Sequence, residues 1–118
     1  DILLKYPDVT GLVGLFAYNI PLCMEALKQT NIERDIRLFA FDEADETLQG
    51  ITDGTVVGTV VQNPYEYGYE SVKLLKAILQ NEANSIPETK FIDIPARTIN
   101  KSNVAEFWCD LKQKVSGS

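Results

Sequence analysis

The chain has 118 residues, 45% of them hydrophobic and 24% charged, with a formal net charge of -6. That length suits one domain with a core of its own and is too short for two, while the acidic balance argues against general binding to a phosphate backbone, which needs clustered Lys and Arg. Histidine is absent, which excludes Ser-His-Asp and Cys-His arrangements and imidazole metal sites within the chain.

In chain order, "DILLKYPDV" reads as the tail of a helix entered midway, so a piece of a longer protein is expected. "GLVGLFAYN" (Gly11–Asn19) is a near-continuous apolar run, which predicts a strand covered on both faces. Pro21 suits the first turn of a helix, and Leu22, Cys23, Ala26 and Leu27 follow a helical period. "DIRLFAFD" (Asp35–Asp42) predicts a second buried strand, "EADETLQGITDG" a short helix closed by a glycine turn, and "TVVGTVVQ" (Thr55–Gln62) a third strand.

A long helix follows. Asn63 is placed as its N-cap, Pro64 at its first position, and Glu66 three residues after the cap, as in a capping box. Tyr65, Tyr69, Val72, Leu75 and Leu79 repeat at helical spacing and read as a packing stripe, with Gly68 pointing to the close approach of another backbone. "NEANSIPE" is a polar connection and "KFIDIPAR" predicts a short strand at a sheet edge. Asn103 and Glu106 form a second capping-box pattern, and Val104, Phe107, Trp108, Leu111 and Val115 one apolar stripe. Cys23 and Cys109 each fall in an apolar helical pattern and read as small core residues. Strands alternating with helices give an α/β class with a mostly parallel sheet. No apolar run approaches the roughly 20 residues of a membrane span.

Ligands of open α/β sheets bind outside the carboxyl ends of the strands. Those ends carry Asn19, Asp42 and Gln62. Two amides and a carboxylate supply donors and acceptors together, which suits sugar hydroxyls better than a phosphate that Asp42 would repel. Tyr18 and Tyr65 are the aromatic residues near the set that could stack on a sugar ring. Plainer roles stand beside this: Asn19 capping the helix at Pro21, and Asp42 capping "EADETLQ". Gln62 has no such role, because Asn63 is the cap.

The carboxylates of "FDEADE" could also hold a divalent cation, but the EF-hand spacing is absent and the helix dipole accounts for acidic residues in a first turn. A phosphoryl-accepting Asp42 would want a further acidic pair and a lysine that Asn19 and Gln62 do not supply. No glycine-rich phosphate loop occurs. No cofactor or metal is expected, and no nucleophile–base pair that would make the chain an enzyme.

"PDVTGLVGLFAYN", "IRLFAFDEADETLQGITDGTVVGTVVQNPYEYGYESVKLLKAIL" and "TINKSNVAEF" resemble the closing half of type I periplasmic sugar-binding proteins, the ribose-binding-protein-like receptors of ABC transporters. The likeness lies in order and spacing: a strand plus Asn, a strand plus F-D, a D-G turn, then V-x-Q-x-P and an aromatic helix. It implies a two-lobed clamshell closing on a monosaccharide, with this chain part of a parallel-sheet, three-layer α/β/α lobe. By the same resemblance Asn19, Asp42 and Gln62 are the ligand contacts, with Tyr18 and Glu43 as second-tier contacts. The family's usual acidic residue after the Asn is Ile20 here, and its usual Gly after the Asp is Glu43. Residues 1–62 and about 86–118 would form the C-terminal lobe, with a hinge crossing after Gln62 and the helix of about 63–85 packing on the other lobe.

The resemblance further implies a periplasmic or extracellular receptor, peripheral to the membrane, that hands its monosaccharide to an ABC transporter permease and binds no nucleic acid through this chain. The alternative is the effector-binding domain of a lac-repressor-like transcriptional regulator, which shares the fold. Receptors of this kind need about twice this chain or more for two lobes. The 64–80 helix alone is therefore expected to pack on another copy, or on this lobe in a non-native way.

Overall fold

The computed structural model describes residues 2–30, 35–82 and 86–117. They fall into two compact units, Asp1–Val61 with Thr98–Ser118, and Gln62–Arg97.

The first unit opens with a single helical turn, α1 (Ile2–Lys5). Strand β1 (Gly11–Val13), helix α2 (Asn19–Thr30), strand β2 (Arg37–Phe41), helix α3 (Asp45–Asp53) and strand β3 (Val56–Val61) then alternate. The sheet order is β1-β2-β3-β4, where β4 is Arg97–Asn100, and helix α5 (Val104–Ser116) closes the unit. The β1–β2 and β2–β3 pairs are parallel. Parallel neighbours need crossovers, and α2 and α3 provide them, as the alternating pattern requires.

The core lies on one face of this sheet. Leu38 and Ala40 of β2, Val56 and Val61 of β3 and Ile99 of β4 are buried against Ile20 of α2, Leu48 and Ile51 of α3, and Val104 and Phe107 of α5. Each Val, Leu, Ile or Phe side chain among them contributes about 1.5–3 kcal/mol by leaving water. The opposite face is different. Strand β2 alternates buried and exposed residues, and Phe39 and Phe41 are each 40% exposed, beside exposed Val13 and Val57. The strands are thus covered on one face among the described residues, although the uncovered face keeps the apolar composition of a buried surface.

Three local expectations are corrected. Strand β1 stops well before Asn19. Its ladder runs on through Gly14, whose N–H donates to Phe39 O at 2.9 Å and whose carbonyl accepts from Phe41 N at 3.0 Å. The Phe16 N–H then turns to the Asn19 side chain, so the backbone leaves the sheet. In "KFIDIPAR" the strand is later than expected: residues 91–96 are irregular and β4 starts at Arg97. Pro95 has no N–H to give a ladder. In the second capping box, Asn103 is the N-cap of α5 but makes no capping bond. Its Oδ1 accepts from Asn100 N at 2.8 Å and its Nδ2 donates to Thr98 O at 3.0 Å, so the amide ties the turn to β4 instead. Of the α5 stripe, Val115 is exposed.

Helix α3 ends as its glycine turn predicts. Gly54 sits at φ 89° and its N–H reaches Gly50 O and Ile51 O, the left-handed cap that glycine adopts without a Cβ penalty. Both cysteines are free. Cys23 packs on the core and burial pushes its thiol pKa up. Cys109 is exposed, its sulfur accepting from Gln113 Nε2 at 3.8 Å, and so is not the core residue its apolar surroundings suggested.

The second unit holds helix α4 (Pro64–Leu79). Asn63 Oδ1 accepts from Glu66 N at 3.2 Å, and Pro64 stands in the first turn as the sequence predicts. No residue of α4 is buried, so the Tyr65, Tyr69, Val72, Leu75 and Leu79 stripe is exposed. Nothing described approaches within 4 Å of where a Cβ on Gly68 would stand, so the backbone neighbour expected there is not among the described residues. Of the "NEANSIPE" connection, residues 83–85 lie outside the described residues. Among the described residues no helix is long and apolar enough to cross a membrane.

Candidate functional site

The carboxyl edge of the first unit's sheet is built from backbone contacts. Gly14, one residue beyond β1, pairs with Phe39 and Phe41, and Asp42 follows Phe41 directly. The Asp42 N–H in turn donates to Val60 O at 2.8 Å, which carries the edge across to β3. A Cβ built on Gly14 would lie 2.7 Å from the Asn19 Cβ and 2.9 Å from Ile20 Cγ1. The absence of a side chain at residue 14 is therefore what lets the first turn of α2 seat Asn19 against the sheet end. Asn19 and Asp42 share one edge, as the sequence anticipates.

Their local states differ. Asn19 Oδ1 accepts from Phe16 N at 2.9 Å and Asn19 N donates to Phe16 O at 2.9 Å. These bonds close the turn that follows β1. They are not the cap of α2 that a plainer reading gave Asn19, because the helix begins at Asn19 itself. Asp42 stands at φ 63°, in the left-handed region. Only short polar side chains other than glycine visit that region with any ease. Nor does Asp42 cap α3, whose N-cap is Ala44 with no side-chain capping bond. Next to it, burial raises the Glu43 pKa above the usual glutamate value. Its own backbone N–H opposes that shift and the neighbouring Asp42 charge adds to it.

The turn that follows β1 carries two aromatic groups. Phe16 and Tyr18 stack with ring centroids 5.8 Å apart and planes 2° from parallel, and both are exposed. Gln62 follows Val61, the last residue of β3, and is the first residue of the second unit. Tyr65, in the same unit, is exposed in the first turn of α4. Among the described residues no group of three His, Cys, Asp or Glu side chains could hold a metal ion.

One contributor escapes the strand-end rule. Thr59 is 2% exposed on the inward side of β3, and its Oγ1 donates to the Asp42 carbonyl at 2.7 Å. The signal was present in "VVGTVVQ", where a single hydroxyl interrupts a β-branched run at a core-facing position. An amide and two carboxylates at one sheet edge, beside exposed aromatic rings, can donate to and accept from a polyhydroxylated molecule and cover its apolar faces.

Residues 1–83 match the family model described as "Periplasmic binding protein domain". The chain belongs to the periplasmic binding protein family. Among solved structures it is similar to GanP, a glucose-galactose binding protein from Geobacillus stearothermophilus, at 30% identity with a TM-score of 0.74, over 86% of this chain and 35% of that one. A solute-binding protein from Agrobacterium vitis, solved with α-D-tagatopyranose, is 27% identical with a TM-score of 0.73, over 89% of this chain and 34% of that one. A protein described as a LacI transcriptional regulator, from Bacteroides fragilis, matches at 22% identity and TM-score 0.65, over 90% of this chain and 35% of that one, and shares the fold alone. No curated protein matches the chain. The chain spans about a third of the length of these solved relatives. Its α/β architecture is that of a type I periplasmic binding protein lobe. The first of these relatives is a glucose-galactose binding protein and the second a solute-binding protein of an ABC transporter.

Proposed function

We propose that the chain is part of the closing lobe of a solute receptor that binds a monosaccharide or related polyol between two lobes and delivers it to an ABC transporter permease. The observation that carries this is Asp42, fixed in a left-handed conformation at the carboxyl end of β2 with Asn19 seated on the same edge. A carboxylate accepts from vicinal hydroxyls. The Asn19 amide, its oxygen occupied by Phe16 N, brings two N–H donors. Gln62 supplies the third polar contact and marks the hinge crossing, Tyr18 offers its ring to an apolar sugar face, and Glu43 contacts the ligand from the rim.

The sugar-binding relatives support the substrate class. In this reading residues 1–62 and about 86–118 belong to the C-terminal lobe, and the exposed α4 stripe packs on the opposite lobe of the complete receptor. Such a receptor works in the periplasm or outside the cell, at the membrane surface. Its exposed α4 stripe would associate with another copy when these 118 residues stand alone. A second reading, the effector domain of a lac-repressor-like regulator, draws on the fold shared with the Bacteroides fragilis protein.

The test is a thermal-shift screen of the full-length protein with D-glucose, D-galactose, D-arabinose, D-tagatose and simple polyols. A ligand of the folded state adds about 2.7 kcal/mol at a hundredfold excess over its dissociation constant. A shift with one or two sugars that disappears in Asp42→Ala and in Gln62→Ala is the expected result. No shift with any of them, or a shift indifferent to both substitutions, would overturn the reading.

A further inference from the structure

Asp42 is held in its left-handed conformation from two sides, both by β3. Its N–H donates to Val60 O at 2.8 Å, and its carbonyl accepts from Thr59 Oγ1 at 2.7 Å. The first bond belongs to the sheet and any residue at position 60 would make it. The second depends on one side chain. Thr59 lies opposite Ala40 in the β2–β3 register, on the core side, where Val56 and Val61 are also buried. A hydroxyl in that position loses water and must find a partner within the protein. Its partner here is the main-chain carbonyl of Asp42, the residue that carries the candidate ligand carboxylate.

A left-handed non-glycine residue persists only where its surroundings over-determine it. Asp42 leaves β2 at φ 63°, and a peptide free to rotate there would return to the extended region and carry the carboxylate elsewhere. We infer that Thr59 is a positioning residue of the sugar site: its buried hydroxyl clamps the Asp42 carbonyl and so fixes the direction in which the Asp42 carboxylate leaves the sheet. The inference rests on the reading of Asp42 as a ligand contact. Thr59 itself does not touch the ligand.

Two substitutions separate this role from ordinary packing. Thr59→Val keeps the volume and the β-branched shape but removes the donor. Thr59→Ser keeps the donor and gives up a methyl group. In the full-length protein, calorimetric titration with whichever of D-glucose, D-galactose, D-arabinose or D-tagatose raises its melting temperature gives the affinity, and a melt without sugar gives the fold. Selective labelling of aspartate reports the backbone carbon shifts of Asp42. The expected result is about tenfold weaker binding in Thr59→Val, the scale of one lost hydrogen bond. Thr59→Ser should bind within about twofold of the wild type on the same scale, and the Asp42 shifts should move in the valine variant only. Weakened binding in Asp42→Ala with unchanged binding and unchanged Asp42 shifts in Thr59→Val would overturn the inference and leave the site reading intact. Unchanged binding in Asp42→Ala, or no melting shift with any of the four sugars, would remove the site reading and the inference with it.

Discussion

Trp108 Nε1 donates to Asp45 Oδ1 at 2.9 Å across 63 residues of sequence, fastening α5 to the first turn of α3. The indole is also covered by Lys112, whose Nζ stands 4.4 Å from the ring centroid. Asp45 serves twice, as this acceptor and as a negative charge at the N-terminus of α3. Since α3 begins three residues after Asp42, this tie sits close behind the candidate site. Trp108→Phe keeps most of the apolar surface and deletes the donor. It should cost about 1 kcal/mol, read as a lower melting temperature. In a double-mutant cycle with Asp45→Ala the two losses should be less than additive. Strict additivity would mean that the bond contributes nothing in solution.

Gly14→Ala tests how the sheet edge seats Asn19. The added methyl would meet Asn19 Cβ at 2.7 Å and Ile20 Cγ1 at 2.9 Å. The residue cannot retreat, because its N–H and carbonyl are both engaged by β2. The start of α2 must therefore shift, with the fully buried Ile20. We expect a loss of about 1–3 kcal/mol, the usual cost of overpacking, together with weaker sugar binding as Asn19 moves. A variant that melts and binds like the wild type would show that α2 has room to slide.

The framework was legible because its elements carry period and punctuation. An apolar run marked β2, a β-branched run marked β3, Gly54 closed α3, and Asn63 with Pro64 opened α4, each a signal confined to a few neighbouring residues. What failed depended on residues further away. The end of β1 was hidden because Leu15, Phe16 and Tyr18 look like strand residues, whereas the Phe16–Asn19 bond takes the chain out of the sheet. Asn103 has the pattern of a cap, yet its amide is claimed by Thr98 and Asn100. The strand-end rule found Asn19 and Asp42 on one edge. It did not reach the left-handed turn at Asp42, because a position at a strand end does not state the backbone conformation there, or the hydroxyl of Thr59 beneath it, which lies inside β3.

Glu43 makes stability depend on pH. Burial holds its folded-state pKa above the usual glutamate value. A carboxyl raised in this way binds its proton more tightly when folded, so its contribution is favourable below the unfolded pKa, about 4.3, and is lost as pH rises through the folded value. Glu43→Gln should therefore melt higher than the wild type at neutral pH, with the advantage fading as the pH falls toward and below the usual glutamate range. The effect is modest, because the group is partly open to solvent. Melting curves of both proteins over a pH series decide it, and a constant difference across the series would assign the change to packing rather than to the charge.

The exposed stripe of α4 gives the last prediction. Tyr69, Val72 and Leu75 are each more than half exposed on a helix that buries no residue. An apolar surface of this kind is covered in use or drives association. The isolated 118-residue chain should sediment above its monomer mass, increasingly so across a concentration series. Tyr69→Glu with Leu75→Glu should return it to a monomer, leaving the first unit's core and its tryptophan fluorescence unchanged, since neither residue belongs to that core. In the full-length protein the same pair of substitutions should lower stability instead of changing mass, because there the stripe is taken to pack against the opposite lobe. Amide exchange separates the cases: α4 amides should be protected in the full-length wild type and should exchange freely in the monomeric variant of the short chain. A short chain that sediments as a monomer with α4 exchanging freely would show that the stripe, once uncovered, stays in water.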